Sequence, residues 1–296
     1  MAFHVGMIGL GLMGTAMSRN LLERGFRVTG FDVLPQPVRA LQSVGGQGAG
    51  SAAAVARVAD VVMTSLPNGQ IVEEAILGPQ GVADGGRPGL IVLETSTVAP
   101  ATSQKVYRTL AQRGMPMLDA TVSGISHMVA VRDCIFMVGG EERVFEAVRP
   151  IWDALARAAY YLGPSGAGAQ MKLVTNLIMG VTIMGVAEGL ALGMKAGLNA
   201  HRMLDVLRDS AAASRMLDIR GQFMADRKYE PPVARIDVFL KDIALMLENS
   251  REHAMPVPMT ELMERLFRDA KGEGYGAVEI AAVIETYRRR GGLHEA

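Results

Sequence analysis

The sequence predicts an α/β chain, with a doubly wound parallel sheet in the first half and an all-helical domain in the second. Three observations predict it. Gly9, Gly11 and Gly14 follow the apolar run Val5–Ile8 and open a segment with helical spacing. Short apolar runs then alternate with helical patterns up to about residue 163, the signature of strand–helix–strand units. After Gly163-Pro164-Ser165-Gly166 no β pattern follows. The domains are therefore placed at 1–163 and 164–296.

The strands are expected at Phe3–Ile8, Arg27–Phe31, Val61–Ser65, Leu90–Glu94, Pro116–Asp119, Cys134–Val138 and Ala159–Tyr161. Each is a short apolar run bounded by turn residues. Helical spacing marks roughly Met13–Arg24, closed by Gly25, and then Val38–Val44, Ile71–Leu77, Ala101–Arg113 and Glu142–Ala156. In the second half one long apolar helix near 167–195 is closed by Gly197. Amphipathic segments follow at Ala200–Ser210, Ser214–Met224, Val238–His253, Met259–Lys271 and Ala277–Arg290. Pro231-Pro232 and Pro256–Pro258 punctuate them, and Arg288–Arg290 reads as a solvated helix end.

Composition narrows the function classes. The 296 residues are 49% hydrophobic, enough for a sizeable core, and 30 basic residues balance 30 acidic ones. Such a chain has no basic field for nucleic acid or an anionic membrane. A single cysteine, Cys134, forbids an internal disulfide and suits the reducing cytoplasm. The start lacks the basic segment of a signal peptide. The longest apolar stretch, Leu173–Ala187, is interrupted by Thr175, Asn176, Thr182 and glycines. It falls short of the roughly 18–20 apolar residues of a membrane span, so a buried helix is expected. The 20 methionines read as core filler rather than metal ligands, and no metal site is expected.

The stretch Gly9-Leu10-Gly11-Leu12-Met13-Gly14, between a strand and a helix, is the turn that holds a dinucleotide pyrophosphate in Rossmann-type domains. The helix behind it aims its free N–H groups and positive dipole end at the phosphates. Asp32 ends the second strand, where a carboxylate accepts hydrogen bonds from the adenosine ribose and repels a 2′-phosphate. NAD is therefore expected. Arg39 offers the alternative, a cation for the 2′-phosphate of NADP.

Carboxyl ends of parallel strands line the ligand crevice of such a sheet. Leu66-Pro67-Asn68 and Glu94-Thr95-Ser96-Thr97 stand at two of these ends, although Ser96 and Thr97 also suit a helix N-cap. Asp119-Ala120-Thr121-Val122-Ser123-Gly124 is a third, where Ser123 and nearby backbone N–H groups can bind a carboxylate or hydroxyl. His127 follows, more simply read as surface. In the second half, Lys172 and Asn176 share one face of an apolar helix. A lysine among apolar neighbours is costly unless paired and gives up its proton more readily, which suits acid–base work. Its simpler reading is a side chain that snorkels to solvent. Lys241 and Asp242 are adjacent, so their side chains are expected on different sides of a helix, as ordinary surface charge.

Together these blocks resemble the β-hydroxyacid dehydrogenase family, which includes 3-hydroxyisobutyrate dehydrogenase and tartronate semialdehyde reductase. Four ordered blocks carry the resemblance over essentially the whole chain: Val5–Gly14; Asp119–Gly124 with Phe136–Gly140; Gly166-Ala167-Gly168 through Lys172 to Asn176; and Lys241-Asp242. The resemblance implies Lys172 as the catalytic lysine and Asn176 as the amide that positions substrate. Ser123, Gly124 and Ile125 fall in the substrate-binding block. Leu66, Pro67 and Thr97 match cofactor contacts, and Lys241 matches a lysine reaching the cofactor. It further implies NAD or NADP as cofactor, a helical domain like that of 6-phosphogluconate dehydrogenase, and a homodimer or homotetramer.

The implied reaction is hydride transfer between NAD and a small β-hydroxyacid such as 3-hydroxyisobutyrate, with Lys172 as general acid and base. Two alternatives stand beside it. One is an NADPH-dependent reductase of a small aldehyde-acid such as tartronate or succinate semialdehyde. The other is a nucleotide-binding regulator without catalysis, against which Lys172 and Asn176 argue. An imine reductase fits less well, because lysine-based proton transfer suits a hydroxyl better than an amine. The chain departs from the family pattern at Thr121, usually proline, at Ile125, usually glycine, and at Arg132-Asp133, usually Gly-Thr. Ile125 is expected to narrow the substrate pocket, with His127 or Arg132 adding a contact.

Overall fold

The computed structural model describes residues 3–293, so the outermost residues of the two expected domains, 1–2 and 294–296, lie outside the described residues. The chain divides into two compact units, 1–172 and 173–296.

The first unit is built on one eight-stranded sheet in the order β3-β2-β1-β4-β5-β6-β7-β8. The strands are β1 (His4–Ile8), β2 (Arg27–Phe31), β3 (Gln47–Gly48), β4 (Val61–Thr64), β5 (Ile91–Glu94), β6 (Met117–Ser123), β7 (Ile135–Gly139) and β8 (Ala158–Tyr161). Strand order reverses beside β1, the switch point at which a doubly wound sheet opens a crevice. Side chains alternate between the faces. Val61 and Met63 enter a core with Met17, Leu21, Phe136 and Trp152, while Val62 enters a second core with Val55, Ile76, Val106 and Leu110. Both faces are thus covered, which is why the strands read as continuous apolar runs.

The sheet corrects the sequence reading in three places. It is not wholly parallel, because β7 runs antiparallel to β6. The strand expected to end at Asp119 runs on to Ser123, so most of the segment Asp119–Gly124 lies within β6. The expected helix Glu142–Ala156 is two helices, Glu142–Ala147 and Arg149–Leu155, with Pro150 in the first turn of the second. The two-residue β3 and the helices Ala52–Val58, Val82–Gly85 and Ser126–Ala130 were not expected.

Among the described residues the second unit is helical, apart from one isolated bridge between Arg235 and Glu279. Its core gathers Leu190, Leu217, Ile243, Met263 and the edge-to-face pair Phe239–Phe267. The long helix runs from Ala167 to Lys195, 29 residues, with a mean hydropathy of 1.8 in its most apolar window. The helix lies where the sequence places it, near 167–195, but it is neither too short for a membrane span nor mostly buried, as the sequence reading of its apolar stretch expected. By length and composition it can cross a membrane, and only 33% of that window is buried. Helical residues on both sides of Leu173–Ala187 extend the apolar run, and Met171, Val174, Ile178 and Leu192 are exposed.

Candidate active site

The glycine turn has the geometry its spacing predicts. Gly9 adopts φ +87°, and a Cβ there would lie 2.2 Å from the Ser65 carbonyl oxygen. A Cβ on Gly14 would lie 1.9 Å from the Gly9 carbonyl oxygen. Side chains at either position would force β1, β4 and the following helix apart. Around Gly11 the reverse holds: a Cβ would meet nothing within 4 Å, so its backbone stays open to a close-approaching group. Gly11 is also the N-cap of the helix Leu12–Glu23, with no side chain capping that first turn. Open backbone and uncapped N–H groups fit a pyrophosphate.

Asp32, just after β2, is more engaged than its sequence position suggested. Its Oδ2 accepts the Leu10 N–H at 2.8 Å and its Oδ1 accepts the Leu34 N–H at 2.9 Å. The carboxylate therefore braces the glycine turn. Each oxygen keeps a second lone pair, since a carboxylate has about four acceptor sites. The next two side chains, Val33 and Leu34, are exposed and apolar.

Leu66 and Pro67 follow β4, and the Leu66 N–H is held by Ser96 Oγ at 2.8 Å. The helix after Thr97 is capped at Ala99, so neither Ser96 nor Thr97 serves as its N-cap. The Ser96 N–H donates to Glu94 Oε1 at 2.7 Å, while Glu94 Oε2 is buried without a hydrogen bond. Burial pushes the Glu94 carboxyl up to about 7; the bonds from Ser96 oppose this and the Asp119 charge adds to it. Glu94 is paired with Asp119 across β5 and β6.

This pair carries a pH prediction. Between the ordinary glutamate value and about 7, the folded chain keeps a proton that the unfolded chain has released. Stability therefore falls as pH rises through that window. Tm is expected to decline from about pH 5 to about pH 8, and Glu94→Gln is expected to flatten the decline. An equal slope in both proteins removes Glu94 as its source.

Asp119 clamps the start of the long helix. Its Oδ1 accepts the Gly166 N–H at 2.7 Å and its Oδ2 the Ala169 N–H at 2.9 Å. Burial raises its carboxyl above the ordinary value, and these backbone donors pull it back. Thr121, one of the departures from the family pattern, donates its hydroxyl to the Gly168 carbonyl oxygen at 2.9 Å. Two side chains of β6 thus fix the first turn, and Lys172 projects from the next one. Lys172 Nζ donates to the Val122 carbonyl oxygen at 2.7 Å, which places the ammonium group beside Ser123. Gly124 has φ +150°, and a Cβ there would lie 2.9 Å from Cys134 Cβ. Ile125 caps the short helix that carries the exposed His127.

Asn176 lies one turn beyond Lys172 on the same helix and is 4% exposed. Within the second unit its Nδ2 donates to Asp242 Oδ2 at 2.9 Å. Lys241 Nζ stands 3.1 Å from Asp242 Oδ1, a charge contact whose angle falls short of a hydrogen bond. This corrects the reading of Lys241 and Asp242 as diverging surface charges: the lysine stem swings back to its neighbour. Asp119, Glu94 and Asp242 were missed as supporting residues. Asp119 and Asp242 lie in two of the four blocks that carry the family resemblance, the sequence signal that could have found them.

Comparison with known proteins fits this geometry. Residues 4–163 match the NAD binding domain of 6-phosphogluconate dehydrogenase, and residues 166–287 match the NAD-binding domain of NADP-dependent 3-hydroxyisobutyrate dehydrogenase. The 2-(hydroxymethyl)glutarate dehydrogenase of Eubacterium barkeri is 33% identical, covering 99% of this chain and 97% of that protein. The chain belongs to the β-hydroxyacid dehydrogenase family. Another relative, the NAD-dependent L-serine dehydrogenase of Pseudomonas aeruginosa, is 34% identical over 96% of this chain and 97% of that protein. The crystal structure of 3-hydroxyisobutyrate dehydrogenase from Salmonella typhimurium superposes with a TM-score of 0.87 at 33% identity, covering 96% of this chain and 99% of that one. The fold is the family's, a Rossmann-type domain followed by helices. As a β-hydroxyacid dehydrogenase the chain is an NAD(P)-dependent oxidoreductase.

Proposed function

We propose that this dehydrogenase interconverts a small acid of the form HOCH2–CH(R)–COO− and its aldehyde, with NAD as the preferred cofactor and Lys172 as general acid and base. The observation that carries the reading is the Lys172 ammonium group held 2.7 Å from the Val122 carbonyl oxygen, at the end of the strand that presents Ser123. Three acids named for relatives share this form: 2-(hydroxymethyl)glutarate, L-serine and 3-hydroxyisobutyrate. They differ only in R.

The bound nicotinamide supplies the hydride acceptor, or the donor in reverse. The chain does the rest. In oxidation the Lys172 side chain acts as the neutral amine and takes the hydroxyl proton as the carbon loses hydride, and in reduction its ammonium form returns that proton to the forming alcohol. Its bond to Val122 holds the nitrogen in place. Ser123 and the backbone from Gly124 to Ile125 hold the carboxylate, and Asn176 orients the hydroxyl-bearing carbon, a proximity effect. Ile125 limits the size of R. Leu66, Pro67 and Thr97 contact the nucleotide from the ends of β4 and β5, and Lys241 contributes its positive charge. Asp32 receives the ribose hydroxyls and disfavours a 2′-phosphate, and the exposed Val33 and Leu34 beside it offer no cation.

The test is a set of initial rates with the three acids, each with NAD and NADP, followed by nicotinamide absorbance. At least one acid is expected to turn over, with kcat/KM at least about tenfold higher for NAD, one charge–charge conflict being worth more than about 1.4 kcal/mol. Equal or better rates with NADP overturn the cofactor preference. No turnover of any acid overturns the substrate form.

A further inference from the structure

Asn20 is a polar side chain in an apolar place. It lies on the helix Leu12–Glu23, about 13 Å along the axis from the N-cap Gly11. It is buried, and Met17, Leu21 and Val129 belong to the core of that region. An amide left unpaired there would cost free energy. Asn20 is paired across 109 positions of chain: its Nδ2 donates to the Val129 carbonyl oxygen at 2.7 Å. Val129 belongs to the short helix Ser126–Ala130, which follows directly on Ser123, Gly124 and Ile125. We infer that Asn20 is a positioning residue for the substrate, which ties the segment Gly124–Ile125 to the helix behind the glycine turn. This role rests on the proposed hold of that segment on the substrate carboxylate.

Apolar burial has no direction and lets packed surfaces slide, whereas a hydrogen bond fixes both distance and direction. Val129 carries that fix toward the substrate segment. Its carbonyl oxygen accepts from Asn20, and its N–H donates to the Ile125 carbonyl oxygen at 3.0 Å. Gly124 lies close against the same short helix: a Cβ there would stand 3.6 Å from Met128 Cβ. A shift of Ser126–Ala130 therefore reaches both residues. The Val129 carbonyl oxygen also accepts the Arg132 N–H at 2.9 Å, so removing the amide leaves no orphaned acceptor. What is lost is a fixed place for the short helix rather than the helix itself. The glycine turn keeps its own brace, the bond from the Leu10 N–H to Asp32. The effect of Asn20 is therefore felt by the acid and not by the nucleotide, although Asn20 sits on the nucleotide's own helix.

Asn20→Ala removes the donor. The probes are 3-hydroxyisobutyrate, read as KM at saturating NAD or as Ki where it is not turned over, and NADH, read as Kd by fluorescence titration. Asn20→Ala is expected to raise the 3-hydroxyisobutyrate value about fivefold, the scale of one hydrogen bond, and to leave kcat and the NADH Kd within about twofold. Damage of a merely structural kind moves both probes, because the same helix faces the nucleotide. Ser123→Ala is measured beside it and is expected to raise the acid value by a similar factor. An acid value unchanged in Asn20→Ala while Ser123→Ala raises it, or an NADH Kd that rises as much as the acid value, overturns the inference alone. If the native protein does not take this acid, or Ser123→Ala leaves its value unchanged, the proposed place of the acid fails and the inference fails with it. Should Asn20→Ala not fold, Asn20→Thr goes through the same measurements with the same expected pattern, since threonine is close to asparagine in volume and its hydroxyl falls one bond short of the amide nitrogen.

Discussion

Replacing Lys172 by methionine lowers kcat by about 10²–10⁴-fold, the usual contribution of a positioned acid–base group, and leaves nucleotide affinity unchanged. Methionine keeps the unbranched apolar stem and removes only the ammonium group. The glycine turn and Asp32 are braced by bonds of their own, Gly9 N to the Phe31 carbonyl oxygen and Leu10 N to Asp32, which the substitution does not touch. The loss of the bond to the Val122 carbonyl oxygen costs about 1 kcal/mol of stability. The measurement is steady-state kinetics beside NADH titration by fluorescence. Wild-type turnover in Lys172→Met sinks the proposed mechanism. Lost nucleotide binding in a folded variant moves Lys172 from acid–base work to cofactor binding.

Asp119→Ala has the largest expected effect on stability. It strips the Gly166 and Ala169 N–H groups of their acceptor, and both residues are buried. Two unsatisfied buried donors at roughly 1–3 kcal/mol each give a loss of roughly 2–6 kcal/mol. Asp119→Asn keeps one acceptor oxygen and is expected to lose about half as much. Urea unfolding measures the loss, and amide hydrogen exchange at Gly166–Gln170 locates it. A loss in Asp119→Ala below about 1 kcal/mol, the worth of one ordinary bond, removes the clamp as a stabilising device.

Much of this molecule is legible in its sequence because the signals are local. Glycine spacing, apolar runs alternating with helical patterns and the long apolar stretch near 167–195 are each continuous in the chain, and they led to the glycine turn and to Lys172. What was not legible depends on distance. The direction of β7 goes with a short connection, residues 124–134, of which Ser126–Ala130 form a single helical turn. A parallel crossover takes about a dozen residues or more, usually with a full helix, and the chain comes back antiparallel, which no apolar pattern records. The two residues of β3 are too few for any period. Asp242 meets Asn176 across 66 positions and Asp119 meets Ala169 across 50, so their partners exist only in the folded chain. The engagement of Asp32 with the Leu10 N–H is of the same kind.

The clamp on the long helix also sets a phase. Asp119 and Thr121 fix the angular position of Gly166–Ala169, and the residues up to Lys172 inherit it at about 100° per step. One residue inserted between Ala169 and Lys172 turns the ammonium group about a quarter of the way around the axis, and nothing downstream can turn it back. The stretch from Gly166 to Lys172 therefore behaves as a keyed shaft, whose length is as constrained as its residues.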